Sequence, residues 1–143
     1  MSLTFSSATS SWLAATTAVE SDPRALGFLH ANLRAHALGD RVVVREEGVA
    51  GALRAFSSEI VAAEREAPDF VLLDPPRTGA ADAVPHLLQV APRTIVYVSC
   101  DPATLARDVK ELMRGGYRMR TVRAFDLFPQ THHVEVVARL EAT

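Results

Sequence analysis

One cysteine, Cys100, and one lysine, Lys110, stand among 143 residues. A lone cysteine excludes an internal disulfide and a cysteine-built zinc cluster, and it suits a reducing cytoplasm, the expected location. With a single lysine, the positive charge is carried almost wholly by arginine, the better bidentate ligand for phosphate. A GC-rich genome would leave the same bias. Fifteen basic residues against 17 acidic ones give a net charge of −2, so no global basic field advertises nucleic acid. A local arginine face can still sit on a neutral protein. No apolar stretch is long enough to span a membrane, and no membrane partner is expected. Met1-Ser2-Leu3-Thr4-Phe5-Ser6-Ser7 lacks the basic flank and apolar run of a signal peptide, and its first three residues read as a candidate cloning remnant. With 48% hydrophobic residues the chain can fill the core of a single domain over residues 1–143, of which 1–16 are the least legible.

What is present alternates. Thr17-Ala18-Val19-Glu20 reads as a short strand, and Ser21-Asp22-Pro23 opens a helix with a cap followed by proline. Ala25, Leu26, Leu29, Leu33 and Leu38 keep helical spacing until Gly39-Asp40. Val42-Val43-Val44 is a β-branched strand, and a helix follows over roughly Val49 to Glu66. Phe70-Val71-Leu72-Leu73 is an apolar strand stopped by Asp74-Pro75-Pro76; helical spacing resumes from Ala80 to Val90. The Ile95–Val98 strand, a helix from Pro102 to Met113, and strands over Tyr117–Phe125 and His133–Leu140 complete the pattern. Short connections and two runs that read as buried on both faces, Phe70–Leu73 and Ile95–Val98, predict an α/β fold. Its sheet should be mostly parallel, with helices on both sides and an antiparallel pair at the C-terminal edge.

In such a sheet, ligands bind outside the carboxyl ends of the strands. Cys100 lies at one such end, where Asp101-Pro102 begins a helix whose positive end favours a negative sulfur. On position alone a nucleophile and a small buried core thiol both remain open. Asp74-Pro75-Pro76-Arg77-Thr78-Gly79 follows another strand; its prolines stiffen the loop and remove donors, leaving the Asp74 carboxylate and nearby carbonyls as acceptors. Phe128-Pro129-Gln130-Thr131-His132-His133-Val134-Glu135 leads into the last strand. Adjacent His132 and His133 would point apart if extended, which argues against a metal site. Glu135 is a candidate acid/base, with a solvated strand-end carboxylate as the alternative. Glu20, at a strand end before a helix, is placed as the ribose-binding acid of a Rossmann-type fold would be.

Three segments in order resemble the RNA uracil-C5 methyltransferases, the family that makes 5-methyluridine in transfer and ribosomal RNA. Leu73-Asp74-Pro75-Pro76-Arg77-Thr78-Gly79 resembles that family's Asp-Pro-Pro-Arg loop. Ile95 to Asp108 resembles its nucleophile segment almost residue for residue. Asp126 to Glu135 resembles its terminal Phe-Pro-x-Thr-x-His-x-Glu segment. The resemblance implies a Rossmann-like class I fold that binds S-adenosylmethionine and acts on a uridine in tRNA or rRNA. It implies Cys100 as the nucleophile that adds to carbon 6, Glu135 as the base that takes the carbon 5 proton, and Asp74 and Arg77 as substrate contacts. Glu20 and Asp74 are implied as cofactor contacts. The target base would have to leave its stack.

The chain also departs from that family. The glycine-rich cofactor loop should lie just before Phe5-Ser6, where only Met1-Ser2-Leu3-Thr4 stand. The upstream segment with a cofactor-binding Gln and the N-terminal RNA-binding domain are absent from the sequence. After Val42–Val44 the usual acid has only Glu46 or Glu47 as candidates. These departures predict a sheet incomplete at its first, central strand and a truncated or inactive form. The competing reading is a non-catalytic remnant that binds RNA or protein, or forms a homodimer through exposed sheet surface. A Cys/His hydrolase using Cys100 with His132 or His133 is a third, lacking an oxyanion loop.

Overall fold

The computed structural model describes residues 2–7, 15–64, 66–127, 129–131 and 134–143. Seven strands, β1 (Ser2–Ser7), β2 (Ala15–Val19), β3 (Val42–Arg45), β4 (Phe70–Asp74), β5 (Thr94–Ser99), β6 (Tyr117–Phe125) and β7 (Glu135–Ala142), form one sheet in the order β3-β2-β1-β4-β5-β7-β6. Four helices join them: α1 (Pro23–Ala35), α2 (Val49–Val61), α3 (Val84–Val90) and α4 (Pro102–Arg114). The pairs β2–β3 and β4–β5 are parallel, and β7 runs antiparallel between β5 and β6. The α/β fold and the antiparallel C-terminal pair are as expected, but the sheet is mixed rather than mostly parallel: only two of its six strand pairings among the described residues are parallel, because β1 also runs antiparallel to both neighbours.

Local chemistry explains the helix starts. Asp22 caps α1 by accepting from the Arg24 and Ala25 amides at 2.9 Å each, with Pro23 in the first turn. Asp101 caps α4 in the same way, accepting from Ala103 and Thr104 at 3.0 Å. Three helices are shorter than the apolar spacing predicts. α1 stops at Ala35 with His36 as its C-cap, before Leu38. α2 stops at Val61, where exposed Ala62 and Ala63 take over and Ala63 enters the left-handed region. Ala80–Ala83 form a turn before α3, because the loop leaving β4 is tied down elsewhere, as described below.

Right-handed crossovers sort the helices between two layers. The step from β2 to β3 runs opposite to every later crossover, so α1 lies on one face and α2, α3 and α4 on the other. The core fills the second layer. Leu53 and Phe56 of α2, Leu87 of α3 and Leu105 and Leu112 of α4 pack with Val71, Leu73, Ile95, Tyr97, Ala138 and Leu140 of the sheet. The opposite face is less covered than the sequence suggests. Phe70, Leu72, Val96 and Val98 are only half-buried, because α1, the helix on that side among the described residues, serves the distant β2–β3 end.

The central position expected to gape is filled. β1 runs antiparallel to both neighbours, with Leu3 opposite Val19 on one side and Leu73 on the other. Two facing strand edges present a row of unpaired amides and carbonyls, and a short run of Ser, Thr, Leu and Phe satisfies them in either direction. The backbone argument for self-association through a gap in the sheet therefore falls away. Within the N-terminal stretch that was least legible in the sequence, β1 and β2 supply strand residues; residues 8–14 lie outside the described residues.

Candidate active site at the carboxyl edge of the sheet

Strand register sets the site. Val19, Leu3, Leu73 and Tyr97 form one row across β2, β1, β4 and β5. One residue further along lies the row Glu20, Ser2, Asp74, Val98, at the edge where β2 and β4 end. Glu20 and Asp74 are two strand spacings apart, about 10 Å. On the other side, Ser99 of β5 pairs with Val136 of β7. Continuing that antiparallel register one residue beyond the end of β5 brings Cys100 beside Glu135, the first residue of β7.

Alternation then selects a face. In β4, β5 and β7 the buried positions are Val71 and Leu73, Ile95, Tyr97 and Ser99, and Val136, Ala138 and Leu140. Asp74, Cys100 and Glu135 fall on the other parity, and Glu20 does so relative to buried Thr17 and Val19. The four residues therefore share the less covered face at one end of the sheet. Cys100, Glu20 and Glu135 are half-buried and Asp74 is exposed.

Each is held by its own surroundings. The Ser99 hydroxyl, itself buried, donates to the Asp101 carbonyl at 3.0 Å and accepts from the Asp101 amide at 3.1 Å, so it closes a loop across Cys100. The Thr104 and Ala103 amides bond to the Asp101 carboxylate and hold its pKa below the usual value, with help from the Arg77 charge. Glu20 continues the β2–β3 ladder through its amide to the Arg45 carbonyl. Its Oε1 accepts from the Ser21 and Asp22 amides at 2.7 and 2.9 Å, which orients the carboxylate at the strand end.

The loop after β4 is anchored from α4. Thr104 Oγ1 donates to the Arg77 carbonyl at 3.0 Å, and Arg107 Nη2 donates to the Thr78 carbonyl at 2.9 Å. Arg107 Nε also donates to Asp108 Oδ1 at 2.8 Å. Asp108 Oδ2 accepts from the Ala80 amide at 2.7 Å and from the Tyr97 hydroxyl at 2.6 Å. Burial alone would raise the Asp108 pKa, but the bonds from Arg107, Tyr97 and Ala80 outweigh it and leave the carboxyl below its usual value. Burial, then the hydrogen bond to Asp108 and its charge, push the Tyr97 phenol far up. The sequence reading assigned nothing to Tyr97, Arg107 or Asp108. The signal was available: Asp108 sits on the apolar stripe Leu105, Val109, Leu112 of α4, where an unpaired charge would not be tolerated.

The residues fit only part of an S-adenosylmethionine site. Carboxylates at the ends of β2 and β4 match a ribose diol and the adjoining polar edge. A backbone cradle for the amino-acid end would come from a strand–turn–helix at the central position. There, β1 arrives with its amino end, and no such cradle is formed among the described residues. His132 and His133 lie outside the described residues. Among the described residues no cluster of three His, Cys, Asp or Glu side chains could hold a metal, and no helix is long and apolar enough to cross a membrane.

Strand order and helix layering are those of the class I S-adenosylmethionine-dependent methyltransferases. Precorrin-6y C5,15-methyltransferase from Geobacter metallireducens superposes with a TM-score of 0.60 at 18% identity, over 87% of this chain and 67% of that one, a likeness of fold alone. The Pyrococcus abyssi tRNA (uracil-54, C5)-methyltransferase, solved with S-adenosyl-L-homocysteine, superposes with a TM-score of 0.67 at 33% identity, over 85% of this chain and 27% of that one. The sequence model of the tRNA (uracil-5-)-methyltransferase family matches residues 53–143, well over half of the chain, and the chain belongs to that family. Asp74, Arg77, Cys100 and Glu135 all lie within the matched residues; Glu20 lies before them. An uncharacterized RNA methyltransferase of Streptomyces coelicolor is 45% identical over 86% of this chain and 25% of its own length. A 23S rRNA (uracil(1939)-C(5))-methyltransferase of Pseudomonas aeruginosa is 48% identical over 61% of this chain and 21% of its own length. The chain thus spans a quarter or less of these curated relatives.

Proposed function

We propose that this chain is a catalytic domain that methylates carbon 5 of a uridine in tRNA or rRNA, with Cys100 as nucleophile and Glu135 as base. The observation that supports the reading is the register of β5 and β7, which, continued one residue past Ser99, brings Cys100 beside Glu135 on the face shared with Asp74 and Glu20. Glu20 and Asp74 would hold S-adenosylmethionine, which supplies an electrophilic methyl group when bound.

Carbon 5 of uracil is a weak nucleophile. The Cys100 thiolate adds to carbon 6, forming an S–C6 bond and moving the C5=C6 electron pair toward carbon 5. Once carbon 5 carries the methyl group, Glu135 removes its proton. The electron pair released re-forms C5=C6 as the S–C6 bond breaks, returning the Cys100 thiolate. Asp74 and Arg77 contact the uracil edge and the neighbouring backbone of a base turned out of its stack.

The test is transfer of labelled methyl groups to a uridine-containing RNA. Wild-type chain should label carbon 5, Cys100→Ala should abolish labelling, and Glu135→Gln should leave a protein–RNA adduct that survives a denaturing gel. Methylation retained in Cys100→Ala would refute the covalent route. An absence of transfer by the wild-type chain would favour the truncated, inactive reading.

A further inference from the structure

Cys100 and the Asp74–Gly79 loop are on different strands, yet one helix controls both. α4 begins immediately after the thiol, and its inward side over the first two turns carries Thr104, Arg107 and Asp108 at the i, i+3, i+4 positions. These three side chains bind the backbone of Arg77, Thr78 and Ala80, three of the four residues from Arg77 to Ala80. The residue between them, Gly79, runs so close that a Cβ would come within 2.6 Å of both Arg107 Nη2 and Asp108 Oδ2. Asp108 is the centre of this clamp. Its side chain is about 1% exposed, and it takes donors from the loop (Ala80), from β5 (Tyr97) and from its own helix (Arg107).

We infer that Asp108 is a positioning residue for the active site. It locks the loop carrying Asp74 and Arg77 to the helix that starts at Cys100, so that uracil-edge contacts and thiol move as one body. The inference deepens the proposed function and rests on it for its meaning in catalysis; the clamp itself does not. A neutral amide at position 108 can accept from the Ala80 amide or from Arg107, but it cannot serve Ala80, Tyr97 and Arg107 together. Whichever donor is left out, the loop loses a tie to α4: directly at the Ala80 amide, or through Arg107, which holds the Thr78 carbonyl. Asp108 touches no reacting atom, so the expected loss is one of alignment between groups that remain chemically intact.

The experiment compares wild type with Asp108→Asn and, in case that variant folds poorly, with Arg107→Gln, whose side chain is half exposed. Three readouts are taken on the folded fraction: the rate of covalent adduct formation with a 5-fluorouridine RNA, the rate of Cys100 alkylation by iodoacetamide, and amide hydrogen exchange. Adduct formation should fall tenfold or more while alkylation stays within about twofold, because the thiol is intact and only its alignment is lost. In Asp108→Asn the Gly79 and Ala80 amides of the loop should exchange faster, with the β4 and β5 core amides unchanged. Adduct formation at the wild-type rate in both variants, or a loss matched by alkylation, would overturn the inference. If the wild-type chain forms no adduct, the functional reading fails. Hydrogen exchange then decides the clamp: selective release of Ala80 supports it, and uniform or no release overturns it.

Discussion

A methyl group on Gly79 would meet two polar atoms at 2.6 Å, in a backbone with φ of +79° that side-chain-bearing residues rarely adopt. Gly79→Ala should therefore cost about 2 kcal/mol, seen as a lower denaturation midpoint with an unchanged slope. A midpoint equal to wild type would show that the loop is not clamped as described. The two tyrosines offer a second check. The Tyr117 hydroxyl donates to the Pro92 carbonyl at 2.7 Å, and burial pushes its pKa up to about 12; Tyr97 is pushed up by burial and by Asp108. Each folded value is raised, so the stability gained by keeping the phenols neutral is fully present below pH 10 and is lost as pH rises toward the folded values. For Tyr117 that window runs from about 10 to about 12. As the chain holds only these two tyrosines, an ultraviolet titration should show no phenolate step at pH 10 while the protein stays folded. A step there would contradict the burial of at least one of them.

Elements were legible in the sequence to different degrees, for identifiable reasons. Asp22-Pro23 and Asp101-Pro102 announce α1 and α4 because capping is a local interaction. Asp22→Ala should cost about 1 kcal/mol in thermal or denaturant unfolding, the usual worth of a cap. Leu112→Ala, at a fully buried position of α4, should cost about 2–5 kcal/mol. β1 was not legible: its role depends on the vacant edges of β2 and β4, which no local pattern reveals. The half-covered state of Phe70, Leu72, Val96 and Val98 was also hidden, since an apolar strand reads the same whether or not a helix covers its second face. The strand-end positions of Cys100, Asp74, Glu135 and Glu20 follow from strand–helix alternation, whereas their shared face comes from register and burial parity, which only the folded sheet sets. The clamp that ties the Asp74 loop to α4 was only half legible: the place of Asp108 on the apolar stripe of α4 signals a buried, paired carboxylate, but its partners appear only when the fold sets the loop against α4.

For the whole molecule, acid should be more damaging than the modest net charge suggests. Asp108 is depressed below the ordinary carboxylate value of 3.8, so its contribution is present above that value and is lost as pH falls through the lower folded value. An Asp108→Asn variant, less stable at neutral pH, should lose less additional stability below pH 3.8 than wild type does. Parallel acid curves would assign that loss to other groups. The central proposal is that Cys100 attacks a uracil ring held by the Asp74 loop. Intact-mass analysis of the chain after incubation with S-adenosylmethionine and a 5-fluorouridine RNA tests it most directly. Fluorine at carbon 5 gives Glu135 no proton to remove, so the account predicts a stable RNA adduct on Cys100, absent in Cys100→Ala. An unmodified wild-type mass, alongside methylation of an ordinary uridine RNA, would contradict it.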